Sequence, residues 1–147
     1  MKILIFGLPG SGKTTLAKPF AELIGAVHIN ADAIREEYND WDFTLEGRMR
    51  QAQRMRYLAD GVVKAGKICV ADFVAPTPQA RKEFGADFIV WMDTVKESKF
   101  ADTNKLFVEP DIKDVNYHVS EWFDDTHEQL AQVIHSYLNY GWANYGV

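Results

Sequence analysis

Short apolar runs alternate along this chain with longer stretches in which apolar residues return every three or four positions. Lys2 to Phe6, Val27 to Asn30, Ile68 to Phe73 and Phe88 to Met92 are rich in β-branched or aromatic residues and predict buried strands. Lys13 to Ile24, Ala31 to Tyr38, Leu45 to Ala65, Thr77 to Phe84 and Asp125 to Asn139 carry the helical period. Strand and helix in alternation predict an α/β fold: a parallel sheet of about five strands with helices on both faces. The longest helix takes Thr44 as its N-cap and Gly66 as its C′ stop. Its apolar positions, among them Met49, Ala52, Met55 and Ala59, form one stripe that packs on the sheet.

The chain has 147 residues, the size of one domain, with no repeat, no low-complexity stretch and only scattered prolines. Residues 1–147 therefore read as a single domain. With 47% hydrophobic and 13% aromatic residues it can bury a core, which argues against disorder and against a disulfide-stapled miniprotein. The lone cysteine, Cys69, sits inside an apolar strand with no ligand-spaced neighbour and reads as a packing residue. The apolar run Ile3 to Phe6 is too short for a signal peptide or a membrane span, so a cytoplasmic protein with no membrane partner is expected.

A net charge of −5 argues against a binder of long nucleic acids, which needs a positive surface to displace counterions. The charge is unevenly spread. Between Gly47 and Ala59 stand Arg48, Arg50, Arg54 and Arg56 with no acid, so this window carries +4 and the remainder −9. A solvated helix face explains two or three of these arginines, and a small anionic substrate gives the rest a purpose.

The strongest motif is Gly7-Leu8-Pro9-Gly10-Ser11-Gly12-Lys13-Thr14, which fits G-x-x-x-x-G-K-[ST] and lies between the first predicted strand and helix. Chance gives such a match in a chain this long about once in two hundred. Its glycines let successive backbone N–H groups form an anion-sized nest, to which the following helix adds its positive end. The expected ATP site is Gly7, Pro9, Gly10, Ser11, Gly12, Lys13, Thr14 and Thr15. Lys13 faces the β- and γ-phosphates as a catalytic group, and Thr14 offers its hydroxyl to Mg²⁺. The base-reading N-K-x-D of GTPases is absent, since Asn104-Lys105-Leu106-Phe107 lacks the Asp. A small phosphotransferase is the leading reading.

In a parallel sheet the carboxyl ends of the strands share one edge with the phosphate loop, which brings Asp32 and Arg35 to the same crevice. Asp32 there either orients an acceptor hydroxyl or caps the helix it opens. Arg35 either grips an anionic acceptor or lies on the surface. Trp41 and Phe43 form either a base-stacking surface or satellite packing. Asp72, ending the third strand, is either a magnesium-directed acid acting partly through water or a cap.

Together these segments resemble adenylylsulfate kinase. The phosphate loop G-L-P-G-S-G-K-T-T is similar to that family's G-L-S-G-[AS]-G-K-T-T. Asn30 to Arg35 resembles D-G-D-N-V-R, with Ala33 in place of Asn. Phe43 to Gly66 aligns without a gap on F-S-x-E-D-R-x-E-N-I-R-R…A-G, and Met92-Asp93-Thr94 on V-D-T. The likeness spans roughly residues 1 to 120. It implies a P-loop kinase that uses ATP and Mg²⁺, with Phe43 under the acceptor's adenine, Arg35 and Arg48 on its phosphosulfate, and Asp32 near the reacting hydroxyl. Gln51 stands for an acceptor-contacting Asn, one methylene longer. The family's loop serine is Ala75 here, which excludes a phosphoserine at this position and favours direct in-line transfer. In the lid-like segment, about 98–110, the expected arginine over ATP's adenine is missing; Lys105 either replaces its charge or is a solvated lysine.

The leading function is therefore ATP-dependent phosphorylation of adenosine 5′-phosphosulfate at its 3′-hydroxyl. The alternatives are a related kinase for a nucleotide, a polynucleotide 5′-end or a sugar acid, and a non-catalytic nucleotide-binding module. A homodimer is one role for the aromatic tail from Tyr137 to Tyr145; packing on the sheet is the other.

Overall fold

The computed structural model describes residues 1–142. Its order is β1 (Lys2–Phe6), α1 (Lys13–Ile24), β2 (Val27–Asn30), α2 (Ala31–Tyr38), α3 (Leu45–Lys64), β3 (Cys69–Asp72), α4 (Pro78–Phe84), β4 (Phe88–Met92), α5 (Ala101–Leu106), β5 (Tyr117–Val119) and α6 (Thr126–Ser136). A 3₁₀ turn (Ile112–Asp114) precedes β5, and a π-helical stretch (Tyr137–Trp142) follows α6. The five strands form one parallel sheet in the order β2-β3-β1-β4-β5.

The sheet is covered on both faces, and β1 shows why its sequence is apolar from Ile3 to Phe6. Ile3 and Ile5 face one core with Leu16 and Phe20 of α1 and Leu130 and Ile134 of α6. Leu4 and Phe6 face the other core, with Met55 and Ala59 of α3 and Phe84 of α4. Each strand residue alternates between faces, so a strand buried on both has no polar positions to spare. Cys69 lies in the second core as a free thiol, and burial pushes its pKa up to about 12. That is the behaviour of a packing residue.

The helix ends follow their predicted signals. Thr44 caps α3 by accepting from the Gly47 amide at 3.1 Å, and Gly66 adopts φ 82° just beyond its end. The expected five-stranded parallel sheet is present, and three expectations shift: the strand predicted over 68–73 is confined to Cys69–Asp72, the helix predicted from Asp125 gives way to the π-helical stretch at Tyr137, and α5 and the fifth strand, β5, lie where no element was assigned. Tyr137 meets Phe88 edge-on at 5.3 Å and Leu138 joins the first core, so the described start of the aromatic tail packs on the sheet. Residues 143–147 lie outside the described residues. Among the described residues, no helix is long and apolar enough to cross a membrane.

Candidate active site

β1 delivers the chain to Gly7, where a Cβ would lie 2.4 Å from the Met92 carbonyl, so only glycine lets the loop run against β4. Gly12 takes the left-handed region at φ 92° and starts α1 with no side-chain cap. The first amides of α1 are thereby left for an anion. Lys13 folds back to donate to the Leu8 carbonyl at 3.1 Å. Burial lowers its pKa to about 8, against the opposing pull of Asp72 and Asp32. Pro9, Gly10, Gly12, Lys13, Thr14 and Thr15 line a cavity of about 680 Å³. Gly7 and Ser11 shape the loop from behind it: Thr94 donates to the Ser11 carbonyl at 2.7 Å, and the buried Ser11 hydroxyl has no partner among the described residues.

Parallel registry sets Asn30 of β2 beside Asp72 of β3. Thr14 Oγ1 donates to Asp72 Oδ1 at 3.1 Å, and Asn30 Nδ2 lies 3.1 Å from both. His28 Nε2 holds the other Asp72 oxygen. Asp72 is thus turned to the phosphate loop instead of capping a helix. Hydroxyl and carboxylate oxygens at one point are a donor set that suits magnesium, which keeps several waters. Among the described residues no group of three or more His, Cys, Asp or Glu could hold a metal by itself, so water and phosphate oxygens would complete its shell. Nothing in the sequence reading singled out His28; the available signal was a second polar residue two places before Asn30, on the same face of an otherwise apolar strand.

Across the cavity, Asn30 caps α2 by accepting from the Ala33 amide at 2.9 Å. Asp32 is therefore not needed as a cap, and it lies exposed on the cavity wall. Arg35 and Arg48 are 5% and 8% exposed. Arg35 Nη1 donates to the carbonyls of Asp40 and Asp42 at 2.9 and 3.2 Å. Arg48 donates through Nε to the Phe43 carbonyl and through Nη2 to Thr103 Oγ1, both at 2.8 Å. Neither forms an ion pair with a carboxylate among the described residues, and burial is the main force that lowers both pKa values. Their guanidinium carbons lie 4.5 and 5.3 Å from the centre of the Phe43 ring, and Trp41 stands 6.4 Å from that ring at 48°. Trp41 and Phe43 are half exposed on the cavity wall.

Gln51 also reaches this wall, with Nε2 donating to the Ala31 carbonyl at 3.0 Å and Oε1 accepting from Arg54 at 2.8 Å. Phe100, Asp102 and Thr103, at the start of α5, complete the wall and were missed by sequence reasoning. Lys105 is exposed on α5 and does not line the cavity. The arginine-rich window is mostly neutralised. Arg50 and Arg54 pair with Asp40, Arg50 also with Asp42, and Arg56 with Asp60 and Glu83, so only Arg48 turns its charge inward.

Residues 3–88 match the family described as an AAA domain. A probable adenylyl-sulfate kinase of Aeropyrum pernix is 34% identical over 90 residues, which cover 54% of this chain and 46% of that protein. An adenylate kinase of Pyrococcus furiosus is 39% identical over 88 residues, covering 59% and 37%. The chain thus spans less than half the length of these relatives. Among solved structures, the APS kinase CysC of Mycobacterium tuberculosis, in complex with AMPPNP and APS, superposes with a TM-score of 0.74 at 18% identity, covering 92% of this chain and 97% of that one. The fold is shared.

Proposed function

The chain belongs to the AAA domain family, and on that premise we propose that it is an ATP-dependent kinase resembling adenylylsulfate kinase, which phosphorylates the 3′-hydroxyl of adenosine 5′-phosphosulfate. The observation that carries this reading is the pair Arg35 and Arg48: two buried guanidiniums with no carboxylate paired to them among the described residues, open to the same cavity as Lys13 and Asp32. Holding a cation out of water costs several kcal/mol unless a counter-charge is supplied. A phosphosulfate supplies it, and Phe43 with Trp41 offers the attached base a stacking surface.

Transfer is direct and in line. The acceptor oxygen bonds to the γ-phosphorus as the bond to the β–γ bridging oxygen breaks; ADP leaves with the electron pair and the hydroxyl proton passes to Asp32. Lys13 and the first amides of α1 hold the charge that spreads over the transferred group. Magnesium, held by Thr14 directly and by Asp72 through water, would supply further neutralisation of the phosphates when bound. Gln51 contributes to the acceptor site with what its two existing hydrogen bonds leave free.

Support also comes from the Aeropyrum pernix relative and from the fold shared with the APS kinase of Mycobacterium tuberculosis. The Pyrococcus furiosus relative favours a second reading, in which the acceptor is AMP. Both acceptors join adenine to a 5′ anion, and they differ in the atom that receives the phosphate. A coupled ATP-consumption assay across adenylylsulfate, AMP, nucleosides, sugar acids and 5′-hydroxyl oligonucleotides separates them. Stimulation by adenylylsulfate alone is the expected result, stimulation by AMP selects the second reading, and ATP binding without transfer to any acceptor points to a non-catalytic module.

A further inference from the structure

Two of the α3 arginines that turn away from the cavity converge on one carboxylate. Asp40 accepts from Nε and Nη2 of Arg50 at 2.8 and 3.0 Å and from Nη2 of Arg54 at 2.8 Å. Asp42 accepts from Arg50 at 3.2 Å and from the Thr44 hydroxyl at 2.7 Å. The loop lies so close to α3 that a Cβ on Gly47 would stand 2.2 Å from the Asp42 carbonyl. Along Asp40-Trp41-Asp42-Phe43 the residues alternate in purpose. The two acids bind α3, the two aromatics line the cavity, and the carbonyls of the same two acids hold Arg35.

We propose that Asp40 is a positioning residue for the acceptor: its carboxylate, clamped by Arg50 and Arg54, holds the loop whose carbonyls orient Arg35 and whose rings form the stacking wall. This rests on the reading of the cavity as an acceptor site. A single exposed ion pair contributes little. Here two guanidinium groups place three charge-assisted hydrogen bonds on one side chain, and that network fixes geometry. Without it the loop would have to be ordered anew at each binding event, which weakens affinity and leaves the phosphate loop untouched. The clamp also accounts for two of the four charges in the +4 stretch of α3, since the acids that answer Arg50 and Arg54 stand earlier in the chain.

The test combines steady-state kinetics with ¹⁹F spectra of protein labelled with 5-fluorotryptophan, the Trp41 signal being assigned with Trp41→Phe. Asp40→Ala is expected to raise the acceptor KM about tenfold while kcat and the ATP KM stay within about twofold, and to shift and broaden the Trp41 signal but not that of Trp91. Arg50→Gln should act in the same direction more weakly, and adding it to Asp40→Ala should cost less than it does in the unaltered protein, the remainder being its contact with Asp42. An unmoved Trp41 signal with an unchanged acceptor KM overturns the proposal. Losses shared equally by kcat, ATP KM and acceptor KM also overturn it, since they mark general damage. If Asp40→Ala fails to fold, Asp40→Asn keeps the size and removes the charge. If the unaltered protein turns over no acceptor, the reading of the site has failed, and the Trp41 signal of the free protein still decides whether Asp40 holds the wall.

Discussion

One wall of the cavity is presented by a single loop, between Pro9 and Thr15, and the opposite wall is assembled from α2, the loop to α3, α3 itself and the start of α5. On the first wall the proposed anion-binding groups are backbone amides left uncapped at the start of α1, with Lys13 alone adding a side-chain charge. On the second the proposed anion-binding groups are two guanidiniums, each held by carbonyl or hydroxyl acceptors and neither paired with a carboxylate among the described residues. The difference teaches how each wall fails. Backbone geometry tolerates loss of one side chain structurally but not chemically, whereas the assembled wall depends on every segment that brings an arginine to it.

The largest expected effect lies on the first wall. Lys13→Ala should lower kcat about a thousandfold with the fold intact by circular dichroism, and an unchanged rate would remove the loop from the chemistry. On the second wall, Arg48→Ala should raise the acceptor KM about fiftyfold and leave that of ATP nearly unchanged; the reverse pattern would exchange the roles of the two walls.

The free protein's Lys13 has its pKa lowered by burial to about 8. Below that pH it is already charged and ATP binds without proton uptake; above it, each binding event must take up a proton. ATP affinity should therefore be flat below pH 8 and fall by up to about tenfold per pH unit above it, measured by titration calorimetry. A flat profile to pH 10 would mean that Lys13 is not the group that meets the phosphates. Phe43→Ala should weaken an adenine-bearing acceptor about tenfold and leave ATP alone. The smallest effect belongs to Thr103→Val, which removes the only hydrogen bond from α5 to Arg48 among the described residues and should raise the acceptor KM about threefold.

Much of this could be read from residue order. The apolar runs at β1 and β4 and the loop at Gly7 are local signals, and Thr44 is a local start and Gly66 a local stop. The unforeseen elements are those with weak local signals. β5 has three residues, with His118 at its centre, and α5 has six, with Thr103 its one buried residue. Asp32 and Asn30 show the same limit. Asp32 reads as a cap for the helix it opens, and only the backbone path gives the cap to Asn30 and releases Asp32 to the cavity.

The arginines mark the boundary most clearly. The sequence by itself determined a parallel sheet, a phosphate-binding loop at its carboxyl edge and a helix carrying +4, because hydrophobic period and loop geometry are properties of neighbouring residues. It could not say which of those charges stays uncompensated. Asp60 answers Arg56 one helical turn on, but Asp40, Asp42 and Glu83 lie further from the window, and the tertiary structure alone carries them to Arg50, Arg54 and Arg56. Whether a cation is free to take a substrate anion depends on distance in space and on desolvation, so only the folded chain decided that, among the described residues, Arg48 is the one arginine of the window without a carboxylate partner and that Arg35 of α2 joins it on the cavity wall.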